Sequence, residues 1–278
     1  MKAKLIKLWA YASAAIALLV IFFLFGYIFY YGRSAISREF LTAAPKGNIL
    51  GQDGGIRPAI AGSLYFMLTA TVLGSVPALA TAVYLVFFCR SRRILSLFHL
   101  IIQSIAGIPS IVLGLFSYSF FVRTLDMGRC ILAGGIALAI MILPFIETRI
   151  EKSLRELSPH LINASYALGC SRFYTFFKII LPACRHELVS GILLGACFSM
   201  GATAPIIFTG GVAYAASPTS LAQPAMALPL HLYLLLAQGT SMPQVYGTAF
   251  VLMMIILITN LLAIFYARRR RNSKWNQA

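Results

Sequence analysis

The chain has 278 residues, of which 60% are hydrophobic and 11% charged, with a mean hydropathy of +0.85; this excludes an ordinary soluble domain and implies an integral membrane protein. A formal net charge of +16 could suit nucleic acid, but the basic residues gather beside the apolar segments, as membrane-lipid anchors do, so no nucleic-acid partner is expected. Five scattered cysteines, Cys89, Cys130, Cys170, Cys184 and Cys197, make neither a disulfide framework nor a C-x-x-C metal site.

A hydrocarbon core of about 30 Å needs about 20 apolar residues in a helix. Six stretches qualify, near residues 9–31, 62–88, 97–122, 130–146, 188–209 and 245–267, the fourth being the shortest. They predict an all-α membrane protein of one transmembrane domain, residues 1–278. With the N-terminus inside, the inner segments hold Lys2, Lys4, Lys7, Arg90, Arg92, Arg93, Arg149, Lys152, Arg155, Arg172, Lys178, Arg185, Arg268 to Arg271 and Lys274. Only Arg33, Arg38, Lys46, Arg57, Arg123 and Arg129 remain outside, and the positive-inside rule then puts both termini in the cytoplasm. The first segment is longer than the apolar part of a secretory signal and reads as an uncleaved anchor.

The stretch 33–61, rich in glycine and turn residues, reads as an external, hinge-like loop. Pro77 is expected to kink the second span, a distortion membrane helices tolerate. The third carries Gln103, Ser104, Gly107, Pro109 and Ser110 near its middle. Irregular backbone at membrane depth is expected only where it is buried in protein or lines a wet cavity, so this patch is either a substrate path or a plain proline kink. Pro144 is expected to close the fourth span. The run 147–156 then alternates acids and bases as a solvated helix surface, with Lys152 and Glu156 an i, i+4 pair.

Residues 157–182, LSPHLINASYALGCSRFYTFFKIILP, predict two short amphipathic helices around a glycine, between two spans. Ser158 suits an N-cap and Pro159 the first helical position. Leu161, Ala164, Ser165 and Leu168 follow at helical spacing before Gly169, which favours the left-handed conformation. The second helix carries Phe173, Phe176, Phe177 and Ile180 on one stripe and is expected to stop at Leu181 and Pro182. The pattern suits a cytoplasmic docking element, or else a hairpin lying on lipid.

In the fifth span Gly191 and Gly195 stand at G-x-x-x-G spacing, open to close helix approach, and 201–205 is a small-residue break at depth. Residues 210–244 are too proline-rich to span. LPLHLYLLLAQ within them suits a short outer interfacial helix with His231 and Tyr233 at headgroup level.

No phosphate-binding G-x-x-x-x-G-K-[ST], H-E-x-x-H or G-x-S-x-G occurs. Seven acids and four dispersed histidines leave little material for catalysis, so the chain is not expected to be an enzyme by itself or to hold a cofactor or metal. Spans without internal charge also disfavour a proton-coupled carrier. What remains is a translocation subunit powered from outside itself, with a channel or carrier working alone as the competing class.

Asn163-Ala164-Ser165-Tyr166-Ala167-Leu168-Gly169 with Ile180-Leu181-Pro182 resembles the E-A-A…G…I-x-L-P loop of type I ABC importer permeases. Gly54-Gly55-Ile56-Arg57-Pro58-Ala59-Ile60, Ala106-Gly107-Ile108-Pro109-Ser110-Ile111-Val112-Leu113-Gly114-Leu115 and Thr203-Ala204-Pro205 resemble further motifs of the phosphate-importer (PstA) permeases, in order over about residues 54–265. The resemblance implies a six-helix, MetI-like bundle. It also implies a second, PstC-like permease, two PstB-like ATPase subunits that use ATP and Mg, and an external PstS-like phosphate-binding protein. ATP would close the ATPase dimer, draw the hairpins together and open the bundle outward.

Coupling would fall to Asn163, Ala164, Gly169, Phe173, Phe176, Phe177 and Pro182, and the substrate path to Gln103, Ser104, Pro109, Ser110, Ser199, Thr203 and Pro205. Two departures stand out. Asn163 replaces the glutamate of the loop, and Phe198 and Ala202 replace a basic and an acidic residue of the fifth-span pattern. The path therefore reads as neutral, which would leave the partner permease to supply an arginine or lysine for a dianion. Molybdate or sulfate is the alternative cargo, and a non-transporting subunit with the same fold the alternative role.

Overall fold

The computed structural model describes residues 2–47 and 49–268. The helices are α1 (Lys2–Gly32), α2 (Arg38–Thr42), α3 (Arg57–Val83), α4 (Arg92–Gly107), α5 (Ser110–Ser117), α6 (Ile131–Arg155), α7 (Pro159–Ala167), α8 (Arg172–Thr175), α9 (Leu181–Gly201), α10 (Ala204–Thr209), α11 (Leu228–Gln238) and α12 (Met242–Arg268). π-helical turns follow α3 (Tyr84–Phe88), α5 (Tyr118–Thr124) and α8 (Phe176–Ile180). Among the described residues five helical stretches are long and apolar enough to cross a membrane, or six if the pair 92–107 and 110–124, bent by 96°, is one broken span.

The chain divides into two compact units, Met1–Arg57 with His231–Met254, and Pro58–Leu230 with Ile255–Ala278. In the first, α1 meets the start of α12 backbone to backbone. A Cβ on Gly32 would stand 2.7 Å from the Gly247 nitrogen, and the Tyr31 and Tyr246 rings meet at a tilt, 5.4 Å apart. The stretch expected to be a hinge-like loop is instead folded. Ser37 caps α2 by accepting from the Phe40 nitrogen at 3.1 Å, strands β1 (Pro45–Lys46) and β2 (Asp53–Gly54) pair antiparallel, and Phe40, Leu50 and Ile56 are buried.

The second unit is built around α6, the most buried of the apolar helices. Glycines set its distances to its neighbours. Phe66 of α3 lies over Gly134, Ile142 and the Ala139 carbonyl lie over Gly74, and a Cβ on Gly195 of α9 would stand 2.5 Å from Ile146 Cγ1. Gly195 of the G-x-x-x-G pair is therefore a close-approach site, whereas Gly191 meets only Arg149 Cβ, at 3.4 Å. The 210–227 segment closes the N-terminus of α6, where the Ile131 and Leu132 nitrogens donate to the Gln223 and Leu221 carbonyls at 2.9 and 3.0 Å.

Three proline expectations fare differently. α3 runs unbroken through Pro77. Pro144 does not close the fourth span, because α6 continues to Arg155. Leu181 and Pro182 do not stop the hairpin's second helix either: a π-turn resets the hydrogen bonding just before Pro182, which then stands in the first turn of α9, where a proline is tolerated. The run 147–156 is not merely a solvated surface, since Glu147 and Glu151 are buried. His231 is not at an interface but 3% exposed, with no hydrogen-bond partner for either ring nitrogen among the described residues, and burial pushes its pKa down to about 4.

Candidate coupling hairpin and substrate cavity

Ser158 occupies the N-cap of α7 with Pro159 in the first turn, although the serine hydroxyl makes no capping bond. Gly169 adopts φ +78°, the left-handed conformation expected of a glycine after a helix. The Cys170 nitrogen donates to the Ser165 carbonyl at 3.2 Å across the turn, and Ser171 caps α8 by accepting from Tyr174. The two arms are pinned by a buried bond between the Ser165 and Thr175 hydroxyls at 2.7 Å.

This pin divides the stripe expected along α7. Ser165 faces inward, whereas Leu161, Asn163, Ala164 and Leu168 are exposed, Leu168 at 84%. On the second arm Phe173 and Phe177 are 70% and 57% exposed. Phe176 is half-buried, with its ring 6.2 Å from that of Phe87. The three phenylalanines thus part: Phe176 anchors the hairpin and the other two are offered outward. A recess of about 430 Å³ lies beside them, lined by Phe87, Arg155, Ile162, Tyr166 and Arg172 among others.

A larger cavity of about 820 Å³ lies between α4, the start of α5, α6 and α9. Its lining includes Ile102, Gln103, Ile105, Ser110, Met141, Phe145, Thr148, Arg149, Lys152 and Phe198. Both broken helices contribute to a second recess of about 410 Å³, lined by Ser110, Met141, Cys197, Phe198, Gly201, Ala202 and Thr203. Ser110, Met141 and Phe198 are common to the two. Close packing holds the breaks side by side, for a Cβ on Gly114 of α5 would stand 2.8 Å from the Ala204 carbonyl oxygen.

Of the residues expected along the path, Gln103, Ser110 and Thr203 line these spaces. Ser104 lies outside both linings and returns its hydroxyl to the Leu100 carbonyl at 2.7 Å. Ser199 is buried and donates to the Ala196 carbonyl at 2.7 Å. Pro205 is buried against Gly114, and Pro109 stands at the break itself, as N-cap of α5.

The larger cavity, unlike the path expected from the sequence, carries charge. Arg149 and Lys152 line the larger cavity, because α6 runs nine residues beyond the expected end of its span. Met141, Phe145, Thr148, Arg149 and Lys152 are spaced so as to share one helical face, and that periodicity past Pro144 was the signal available in the sequence. Phe198, where the resembled pattern is basic, stacks on Phe145 at 5.9 Å and 21°, and the Arg149 guanidinium carbon is 6.0 Å from the Phe145 ring centre. On the buried face Glu151 accepts from His99 at 3.0 Å and from Arg155 Nε at 2.8 Å.

Residues 70–272 match the family of binding-protein-dependent transport system inner membrane components. A probable phosphate transport system permease protein PstA of Methanocaldococcus jannaschii is 33% identical over 209 residues, 74% of this chain and 73% of the relative. Phosphate transport system permease protein PstA 1 of Mycobacterium tuberculosis is 31% identical over 268 residues, 94% of this chain and 88% of the relative. Among solved structures, the MetNI methionine ABC transporter in inward-facing conformations aligns with a TM-score of 0.60 at 18% identity, over 77% of this chain and 93% of that one; this likeness establishes the all-α, MetI-like permease fold. The chain belongs to the binding-protein-dependent transport system inner membrane components, the multi-pass permeases of ABC importers, and within them to the PstA permeases.

Proposed function

We propose that this chain is a membrane-spanning subunit that carries inorganic phosphate inward, driven by a separate ATPase. The observation that carries the reading is the extended identity to PstA permeases of an archaeon and a bacterium. Permeases of this family are not catalytic by themselves, so in this reading ATP and Mg act on the PstB-like ATPase subunits and the chain itself holds no cofactor. The other partners are a second, PstC-like permease and an external PstS-like phosphate-binding protein. The distribution of basic residues favours both termini in the cytoplasm, and the family description supports placing the chain in a bacterial inner membrane.

In this scheme Phe173 and Phe177 enter the ATPase groove beside Asn163 and Ala164, and Gly169 sets the angle between the arms. Phe176 and Pro182 tie the hairpin to α9, so that a push on α8 is carried into the helix that bears Phe198. Gln103, Ser110 and Thr203 line the path. Neutral donors return only about 1 kcal/mol net per hydrogen bond, too little to offset stripping water from a dianion, so the path needs fixed positive charge as well.

The deciding experiment is ATP-dependent uptake of labelled phosphate, sulfate and molybdate by vesicles holding the complete complex. Phosphate uptake exceeding that of the other two supports the reading. Preference for sulfate or molybdate reassigns the cargo, and uptake of none of the three overturns the transport role.

A further inference from the structure

We propose that Arg149 and Lys152 form the anion-binding pole of the larger cavity and hold a tetrahedral oxyanion, with Phe145 and Phe198 as the platform that aims the arginine. This rests on the reading of the chain as an oxyanion permease. The two cations are i and i+3 on α6 and both line the cavity, so a single anion can meet both. Arg149 leans toward the Phe145 face, and Phe145 is itself stacked on Phe198 of α9. An arginine over an aromatic face keeps its planar fork of donors free for bidentate bonding to an oxyanion.

The carboxylates nearby do not cancel this charge. Glu147 and Glu151 are buried on the opposite face of α6, where Glu151 is occupied by His99 and Arg155. Lys152 meets Glu156 only in an exposed pair at 3.9 Å, a contact an incoming anion can displace. The Thr148 hydroxyl, although it lines the cavity, donates to the Pro144 carbonyl at 2.8 Å. Gln103 and Ser110 remain as the neutral donors opposite.

A phosphate group could reach this pole as free phosphate or as the headgroup of an anionic lipid. The test therefore measures phosphate uptake by the complete complex in vesicles of phosphatidylcholine alone and of phosphatidylcholine with phosphatidylglycerol. Arg149→Gln should lower kcat/KM for phosphate by about tenfold to a hundredfold in both lipids, the scale of a lost charge-assisted hydrogen bond. Arg149→Lys should recover part of the loss, and Lys152→Gln should cost less than Arg149→Gln. In an Arg149→Cys complex, a cationic thiol reagent should raise uptake and a neutral reagent of equal size should not.

Wild-type kcat/KM in both Gln variants would overturn the proposal while leaving phosphate transport intact. A loss confined to the phosphatidylglycerol vesicles would assign the pole to lipid and overturn it too. No phosphate uptake by the unsubstituted complex would overturn the oxyanion reading itself. If Arg149→Gln fails to assemble, Arg149→Lys and Lys152→Gln decide on the same measurements.

Discussion

The candidate coupling hairpin and the cavity both expose phenylalanine, and the company each ring keeps differs. On the hairpin, Phe173 and Phe177 stand outward with Leu168 and Tyr174, an apolar tip on a polar-backed turn. In the cavity, Phe198 is 54% exposed but stacked on Phe145, with a guanidinium close to that ring. Bare aromatics suit burial in a protein groove, whereas aromatics under a cation suit a polar visitor that must leave again. Exposure alone therefore does not separate a candidate docking surface from a candidate path; a cation held over a stacked ring does.

The largest expected effect breaks the hairpin side. Phe173→Ala with Phe177→Ala removes two aromatic anchors, each of which can be worth about 2 kcal/mol or more at an interface centre. Recovery of the ATPase subunit in pull-downs should fall by more than tenfold, with the permease still inserted in the membrane. Undiminished recovery would place these rings against lipid. Phe198→Ala sharpens the contrast, since it should leave ATPase recovery at the wild-type level while altering uptake. Loss of recovery there would erase the distinction between the two regions.

Next in size is Gly169→Val. At φ +78° a β-branched residue is strained by about 1–3 kcal/mol, although a Cβ there meets no neighbouring atom within 4 Å. Among the described residues the cost is therefore conformational rather than steric, and Gly169→Asn, which tolerates the left-handed region better, should retain more ATP-driven uptake than Gly169→Val. Equal uptake by wild type and the valine variant would show that the turn relaxes freely.

Much of this was legible in the sequence. Gly169 announced a left-handed turn, Ser158 and Pro159 announced the start of α7, and the small-residue patches around Pro109 and Pro205 announced the broken helices. The two proline misses share one cause. Pro144 and Pro182 read as stops because a proline removes a donor, yet α6 runs through the first, and a π-turn before the second shifts the hydrogen-bond pattern so that it begins a helix. Ending the fourth span at Pro144 also hid Arg149 and Lys152, since hydropathy falls where α6 becomes charged although its geometry does not change. The inward turn of Ser165 depends on Thr175 across the hairpin, a pairing that periodicity within one helix does not contain.

The smallest expected effect concerns that pairing. The Ser165 and Thr175 hydroxyls meet at 2.7 Å and both residues are buried, so each satisfies the other where water does not reach. Ser165→Ala alone leaves the threonine hydroxyl unpaired, at a cost of about 1–3 kcal/mol, whereas adding Thr175→Val removes both polar groups and should restore much of the loss. A double-mutant cycle on the thermal stability of the purified complex should therefore show a coupling energy of about 1–3 kcal/mol. Because the pin lies behind the exposed rings rather than among them, ATPase recovery should change far less than in the Phe173 and Phe177 double variant. A zero coupling energy would mean that the arms are held by Phe176 against Phe87 and not by the hydroxyls. A recovery loss as large as that of the aromatic variant would mean that the hairpin's shape, more than its apolar tip, is what the ATPase reads.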